Sequence, residues 1–250
     1  LNSQLSSVPS CQSIIKRAAV KIMEQHYHQS WFAETGAVHR IQFSIRKNIV
    51  TIFLDSSGAG LHKRGYRQTS LLAPIKETLA AGIVDFTRLY DDSVICDPFC
   101  GSGTLLIEAV LKGMNIAPGI NRRFTAEKWG CVPAFVWKEA RREALESIKR
   151  DAKIRAYGYD IDPQAVELTM ANAKKAGVAA HIRTKIQDIS QFSIPPGRAI
   201  VICNPPYGER LLEIKEAERL YRIMGGVFPA DPDKKYYIIS PHEEFEHLFG

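Results

Sequence analysis

The sequence lacks the patterns that mark several common kinds of functional site. Its five cysteines form no C-x-x-C pair and no histidine cluster accompanies them, which argues against a bound metal. No apolar run approaches the roughly 20 residues of a membrane-spanning helix. The G-x-x-x-x-G-K-[ST] pattern of a P-loop is absent. The G-x-G-x-x-G pattern of a dinucleotide site fails because Leu106 stands where the last glycine belongs.

The bulk composition is that of an ordinary globular protein. Hydrophobic residues make up 45% of the 250 residues and charged residues 24%, which permits a sizeable core. The net charge of +6 permits a polyanionic partner such as nucleic acid without requiring one. The odd number of scattered cysteines predicts a reducing, cytoplasmic setting. Since the N-terminus has neither an initiator methionine nor a signal-peptide pattern, we expect the sequence to be part of a longer protein.

The first 60 residues combine one helix with one hairpin. Apolar periodicity predicts a helix over residues 12–25, with Ser10 as its N-cap. Residues 40–46 and 49–54 alternate between apolar and polar and flank Lys47-Asn48, which predicts two strands joined by a tight turn. These elements are too few for an independent domain. They therefore predict that residues 1–60 are the remaining part of a domain.

From residue 61 onward, short apolar strands alternate with helices. Such alternation predicts an α/β fold with a doubly wound, mostly parallel, Rossmann-like sheet. Helices are expected over residues 74–89, 104–112, 137–152, 164–176 and 214–228. The strands are expected at residues 94–96, 155–159, 181–186, 199–203 and 236–239.

A glycine-rich turn follows the first of these strands. Gly101, Gly103 and Thr104 come after Asp97, at the strand end where ligands bind in doubly wound sheets. A carboxylate at Asp97 disfavours phosphate and suits a ligand that carries a positive amino or sulfonium group. The turn alone is weak evidence for any ligand.

Two further carboxylates end the next two strands. Asp160 suits the hydroxyls of a ribose, with Ile161 beside it to cover an adenine face, and Asp188 suits the adenine amine, with Ile189 next to it. Together with Asp97 they match the amino acid, ribose and adenine of S-adenosylmethionine. Each aspartate could instead cap the helix that follows it.

The tetrapeptide Asn204-Pro205-Pro206-Tyr207 follows the fourth strand directly, at the same edge of the sheet, so Asn204 is also a candidate cofactor contact. The side-chain carbonyl of Asn204 and the backbone carbonyl of Pro205 can accept hydrogen bonds from an exocyclic base amine and aim its lone pair at a methyl group. Tyr207 can stack on a base that has left its helix. Catalysis would then be orientation and electrostatics. A plain Pro-Pro turn is the structural alternative. A nucleophilic Cys203 or Cys100 is disfavoured because the local sequence offers no activating histidine.

The combination of these motifs resembles the THUMP domain-containing RNA (guanine-N2-)-methyltransferases, which include the large-subunit ribosomal RNA enzymes. The similarity covers nearly the whole chain. It is carried by residues 61–67, 73–80, 97–104, 116–119, 127–129 and 204–211.

This resemblance implies a class I methyltransferase domain over residues 61–250, with its last strands missing, preceded by part of a THUMP-like RNA-binding domain over residues 1–60. It also implies transfer from S-adenosylmethionine to the N2 amine of a guanosine, most simply in 23S ribosomal RNA. Transfer RNA guanine-N2 methylation, adenine-N6 methylation of nucleic acid, and an RNA-binding module with a vestigial methyltransferase fold stay open as alternatives. The sequence does not predict the oligomeric state. Candidate phosphate contacts are Lys63, Arg64, Arg67, Arg122 and Arg123.

Overall fold

The computed structural model describes residues 3–67, 75–207 and 214–250. By their contacts, the residues group into two compact units. The first comprises Leu1–Ala59 with Arg123–Val136, and the second comprises Gly60–Arg122 with Trp137–Gly250. Within the described residues, no helix is both long and apolar enough to cross a membrane.

The first unit contains helix α1 (Val8–Tyr27) and an antiparallel hairpin of strands β1 (Arg40–Arg46) and β2 (Ile49–Asp55). The predicted hairpin is confirmed. Its turn residues Lys47 and Asn48 have φ values of 50° and 61°, which a two-residue type I′ turn requires. The predicted cap of α1 is wrong. The hydroxyl of Ser7 accepts the Ser10 amide 3.4 Å away, and the helix starts earlier because proline is tolerated in a first turn.

The first unit also includes a segment that the sequence placed in the second. Residues 123–136 hold a short 3₁₀ helix, Thr125–Lys128, whose Ala126 amide donates to the carbonyl of Ser56 at 3.0 Å. The indole of Trp129 donates to the carbonyl of Val38 at 3.1 Å and stacks on the ring of His39. The division by contacts therefore departs from the predicted single boundary near residue 60.

The second unit is built on a parallel sheet with helices on both faces, so the predicted Rossmann-like class I methyltransferase fold is confirmed. Among the described residues, the strand order is β5-β4-β3-β6-β7. From β3 the chain adds β4 and β5 on one side of the sheet and then β6 and β7 on the other. Such folds bind ligands at the point between β3 and β6 where the order of strands reverses. Its strands are β3 (Val94–Asp97), β4 (Arg155–Asp160), β5 (Ile182–Ile186), β6 (Ala199–Cys203) and β7 (Lys234–Ile238).

The helices cover both faces of this sheet. They are α2 (Glu77–Asp85), α3 (Thr104–Gly113), α4 (Ala134–Glu146), α5 (Pro163–Lys175), α6 (Ile214–Val227) and α7 (Phe245–Phe249), with short 3₁₀ helices at Ala179–His181 and Ile189–Gln191. One hydrophobic cluster centres on the almost fully buried α3 and includes Ile95 and Ile154. The other lies between β6 and the helices α6 and α7, around Tyr221 and Met224.

Two helices end earlier than their sequence patterns predict. Helix α4 stops at Glu146; the hydroxyl of Ser147 bonds back to the carbonyl of Glu143, and the Lys149 amide turns away to the carbonyl of Met114. Helix α2 stops at Asp85, and Thr87 bonds back to the carbonyl of Val84 in the same way. Ala73 and Pro74, and residues 208–211 of the motif that begins at Asn204, lie outside the described residues.

Candidate functional site

A cavity of about 480 Å³ lies at the carboxyl ends of β3, β4, β5 and β6. Eight of the nine predicted cofactor residues line it, and Gly103 is the exception. Beyond those eight, the lining includes Ile75, Pro98, Phe99, Cys100, Ser102, Leu105, Asp162, Ala165, Gln187, Pro206 and Leu220. The fold brings the predicted residues together because parallel strands end at one edge of the sheet.

Asp97 ends β3 and is almost completely buried, with 1% of its surface exposed. One carboxylate oxygen accepts the backbone amide of Phe99 at 3.0 Å. Burial is the main reason that the pKa of this carboxyl group is raised from 3.8 to about 8; the hydrogen bond from Phe99 lowers it and the nearby Asp160 carboxylate raises it. A cationic ligand group placed here would restore the ionised form, as the sequence-based interpretation requires.

The glycine-rich loop adopts backbone angles that glycine accepts most readily. Gly101 has φ of 52° and Gly103 has φ of 77°. A Cβ atom on Gly103 would lie 2.7 Å from the methyl group of Thr169. Gly103 therefore serves the site by letting α5 approach the loop, which explains why it does not itself line the cavity.

Two polar side chains of helix α5 donate hydrogen bonds to this loop, and neither was predicted from the sequence. The hydroxyl of Thr169 donates to the carbonyl of Gly101 at 3.0 Å, and the amide of Asn172 donates to the carbonyl of Ser102 at 2.9 Å. Thr169 and Asn172 are 0% and 1% exposed. Polar residues three apart on the buried face of a helix were the signal that could have found them.

Asp160 ends β4 and uses both carboxylate oxygens to fix the neighbouring backbone. One accepts the amide of Gly101 at 2.9 Å, and the other accepts the amide of Asp162 at 3.0 Å. Each carboxylate oxygen has a second lone pair. Asp160 can therefore join β4 to the glycine-rich loop and still accept hydroxyl groups from a ligand. Asp162, which the sequence analysis did not select, caps α5 and also lines the cavity.

Asp188 caps the short helix Ile189–Gln191, as the structural alternative foresaw. One of its oxygens accepts both the amide and the hydroxyl of Ser190, at 2.8 and 2.6 Å, and these bonds lower the pKa of the carboxyl group. Asp188 nevertheless lines the cavity together with Ile189. Capping and a contact with an adenine amine are compatible, because both oxygens of a carboxylate can accept hydrogen bonds.

The tetrapeptide follows β6 at the same edge of the sheet. Asn204 and Pro206 line the cavity, whereas Pro205 is buried and Tyr207 is half-buried outside the lining. The structure thus brings Asn204 next to the predicted cofactor residues. The proposed roles of the Pro205 carbonyl and the Tyr207 ring stay predictions.

Two of the predicted phosphate contacts are engaged inside the second unit. Arg64 forms an ion pair with the buried Glu108 at 3.4 Å, and Arg67 forms one with the buried Glu77 at 3.5 Å. Only 10% and 15% of these two arginine side chains are exposed. These buried ion pairs disfavour direct phosphate contacts by Arg64 and Arg67, which stay predictions.

The remaining basic candidates differ in exposure. Lys63 is exposed in the second unit. Arg123 is 88% exposed in the first unit and pairs with Glu127 at 3.3 Å, a surface contact of small energetic value. Arg122 is half-buried. Lys63 and Arg123 thus keep the exposure that a phosphate contact needs.

The buried cysteines lack the environment of a nucleophile. Burial raises the pKa values of the Cys100 and Cys203 thiols, and the nearby Asp97 carboxylate raises them further. Neither thiol is thus activated as a thiolate. Among the cysteines, Cys131 alone is exposed.

The groups around the cavity fit S-adenosylmethionine. A buried carboxylate at Asp97 suits the cationic amino-acid end, Asp160 suits vicinal hydroxyls, and Ile161 and Ile189 offer apolar faces beside Asp188 for a flat base. Within the described residues no cluster of histidine, cysteine or carboxylate side chains could hold a metal ion.

Comparison with known proteins agrees with this geometry. The chain is 41% identical over 252 aligned residues to "Putative RNA methyltransferase YpsC" of Bacillus subtilis, spanning all of this chain and 66% of that protein. It is 41% identical over 202 residues to "Ribosomal RNA large subunit methyltransferase K/L" of Shewanella baltica, which covers 78% of this chain and 28% of that protein. The chain thus spans only part of the length of these relatives.

Solved structures give the same picture. The structure named "predicted N6-adenine-specific DNA methylase" from Listeria monocytogenes superposes with a TM-score of 0.91 at 43% identity. The structure named "SMU.472, a putative methyltransferase complexed with SAH" (S-adenosylhomocysteine) has a TM-score of 0.91 at 36% identity. Each alignment covers all of this chain and 66% of the other.

A family model described as "RMKL-like, methyltransferase domain" (UPF0020) matches residues 64–250. With the SAH-bound neighbour, it confirms S-adenosylmethionine as the methyl donor of this domain. The chain belongs to the RMKL-like methyltransferase domain family.

Proposed function

We propose that this chain transfers a methyl group from S-adenosylmethionine to the exocyclic N2 amine of a guanosine in RNA, with 23S ribosomal RNA as the substrate. The observation that carries the proposal is the position of Asn204, which lines the cofactor cavity directly after β6. The names of the RNA-methylating relatives and the net charge of +6 support an RNA substrate.

The chemistry needs little more than orientation. S-adenosylmethionine supplies an electrophilic methyl group on a sulfonium. The amine of a base is a weak nucleophile because its lone pair is delocalised into the ring. The side-chain carbonyl of Asn204 and the backbone carbonyl of Pro205 accept its N–H groups and favour a pyramidal nitrogen whose lone pair faces the methyl group. One N–H proton leaves to solvent after transfer.

The RNA itself would be gripped outside the cavity. Residues 1–60 form, in this proposal, part of a THUMP-like RNA-binding domain, and exposed Lys63 and Arg123 contact phosphates. Tyr207 stacks on the flipped base. A reducing, cytoplasmic setting, which the free thiols favour, belongs to the same proposal.

A second candidate reaction is N6 methylation of adenine. The name of the Listeria monocytogenes structure favours it, and the tetrapeptide alone presents acceptors that suit either amine. The two reactions leave different products, so one measurement separates them.

The test incubates the full-length protein with methyl-labelled S-adenosylmethionine and, separately, unmodified 23S ribosomal RNA, transfer RNA and DNA. Nucleosides are then identified by mass spectrometry. We expect label in N2-methylguanosine from ribosomal RNA. Label in N6-methyladenosine would overturn the choice of guanine, and failure to bind S-adenosylhomocysteine would overturn the enzyme assignment.

The role of Asn204 has its own variant. Asn204→Ala removes the acceptor and should lower kcat by about 10²–10³-fold, the usual effect of losing one preorganised polar group. Asn204→Asp keeps an acceptor oxygen and should retain more activity than the alanine variant. Both variants should keep most of their affinity for S-adenosylhomocysteine in titration calorimetry, because Asn204 is only one of the residues that line the cavity. Turnover by Asn204→Ala at the wild-type rate would contradict this role.

A further inference from the structure

The described lining of the cofactor cavity is rich in acidic side chains and holds no lysine or arginine. Asp97, Asp160, Asp162 and Asp188 all line it. These carboxylates suit the amino, sulfonium and hydroxyl groups of S-adenosylmethionine. They do not suit the carboxylate of its methionine part, which needs a hydrogen-bond donor or a positive charge. A cation held just behind the lining would meet that need.

Arg67 lies behind the lining at the place where β3 passes into α3. Its Nη2 atom donates to the hydroxyl of Thr104 at 3.0 Å and to the carbonyl of Ile75 at 2.6 Å. Thr104 and Ile75 both line the cavity, so Arg67 contacts two parts of its wall from outside. The ion pair with Glu77 holds the guanidinium there. The Nε atom of Arg67 is buried and has no hydrogen-bond partner within the described ranges.

The hydrogen bond from Arg67 holds one member of a hydroxyl pair in place. Because the Thr104 oxygen accepts from Arg67, its own hydrogen is free to be donated. The hydroxyl of Ser102 is 3.1 Å away, and it also lines the cavity. Whichever hydroxyl gives its hydrogen to the other, one hydrogen is left for an acceptor in the cavity.

The order of the strands puts the amino-acid end of the cofactor at this place. Asp188, at the base end, follows β5, and Asp160, at the ribose, ends β4. Asp97 ends β3, the next strand of the sheet, and Thr104 begins the helix after β3. The methionine part therefore lies closest to Thr104 and to the charge of Arg67.

We propose that Arg67 is a positioning residue for the carboxylate of S-adenosylmethionine, acting through the hydroxyls of Thr104 and Ser102. This inference rests on S-adenosylmethionine as the methyl donor and is independent of the methyl acceptor. Arg67 was selected from the sequence as a phosphate contact. In this proposal the anion that it serves is the carboxylate of the cofactor.

Two ligands separate this role from a purely structural one. S-adenosylhomocysteine carries the amino-acid end, whereas 5′-methylthioadenosine has the same nucleoside without it. Affinities of the full chain for both are measured by titration calorimetry, using competition for the weaker ligand. We expect Arg67→Met to lower the affinity for S-adenosylhomocysteine by about tenfold or more and the affinity for 5′-methylthioadenosine by less than about twofold. Arg67→Lys keeps the charge and should fall between wild type and Arg67→Met.

Arg64→Met is the matched control. Arg64 belongs to the same segment, is as buried as Arg67 and pairs with the buried Glu108, yet its partners do not line the cavity. Its removal should change both affinities by the same factor. If Arg67→Met proves too unstable, Thr104→Val tests the same path by removing the hydroxyl that Arg67 contacts.

Equal losses for both ligands in Arg67→Met or Thr104→Val, or no loss for either, would overturn the inference. A wild-type chain that bound 5′-methylthioadenosine and S-adenosylhomocysteine equally well would overturn it too, because the amino-acid end would then gain nothing from the site. Failure of the wild type to bind either ligand would refute the methyl donor itself. The chain could fail to methylate RNA while Arg67→Met still weakened only the binding of S-adenosylhomocysteine. That result would support this role of Arg67 and count against the proposed reaction.

Discussion

Replacing Gly103 by alanine tests how closely helix α5 supports the cofactor loop. Gly103 has φ of 77°, a conformation that costs an alanine roughly 1–2 kcal/mol. The new Cβ atom would also lie 2.7 Å from the methyl group and 3.0 Å from the hydroxyl of Thr169. Thr169 is fully buried, so the overlap adds the roughly 1–3 kcal/mol of an overpacked core. We expect Gly103→Ala to lower the free energy of unfolding by about 2–5 kcal/mol.

Gly177→Ala separates the two causes. Gly177 has a similar φ of 75°, and apart from its chain neighbours no heavy atom of the described residues lies within 4 Å of the place that a Cβ atom would occupy, so it has the same backbone strain without the overlap. Both variants are compared by urea unfolding followed by circular dichroism. We expect Gly103→Ala to be the less stable by roughly 1–3 kcal/mol and to bind S-adenosylhomocysteine more weakly.

A second change tests the contact itself. Thr169→Ser removes the methyl group nearest to the new Cβ atom and keeps the hydroxyl that donates to Gly101. In the Gly103→Ala background it should restore part of the lost stability. Equal stability of Gly103→Ala and Gly177→Ala, with unchanged cofactor affinity, would refute the close support of the loop by α5.

Two further predictions concern ionisable groups. In the ligand-free protein the raised pKa of Asp97, about 8 against 3.8, means that its contribution to stability is present below pH 3.8 and is lost as the pH rises through about 8. Binding of the cationic amino group of S-adenosylhomocysteine at pH 7 should therefore release protons, seen by calorimetry in buffers of different ionisation enthalpy. Asp97→Asn should abolish this release, and an unchanged release would contradict the assignment. For the thiols, iodoacetamide should label Cys131 in the native chain and spare Cys100 and Cys203, as checked by peptide mass spectrometry; early labelling of Cys203 would show that its strand is accessible.

The strand ends were the part of the site that the sequence could predict. Asp97, Asp160 and Asn204 each follow a short apolar strand, and parallel strands bring such positions to one edge. The hairpin turn at Lys47-Asn48 was equally readable, because alternating segments lie on both sides of these two residues. Local pattern and global fold agree at these places.

Contacts between distant segments were not predictable in this way. Residues 123–136 look like an irregular connection, and their grouping with the first unit depends on Trp129 reaching Val38. Arg67 looks like a surface cation until its buried partner, Glu77, is known. A basic residue in a charged segment carries no sign of burial, since the carboxylate that compensates it comes from another element of the fold.

The aspartates show why capping and ligand binding were the wrong pair of alternatives. Each carboxylate oxygen of Asp160 accepts one backbone amide, from Gly101 or from Asp162. These bonds fix the carboxylate at the cavity wall. Asp188 is fixed by Ser190 in the same manner. A carboxylate that is already held by hydrogen bonds from the protein loses little freedom when a ligand arrives, so these bonds prepare the contact. The same reasoning applies to Thr104: the hydrogen bond from Arg67 holds its oxygen, and one hydrogen of the Thr104–Ser102 hydroxyl pair is left for the cofactor.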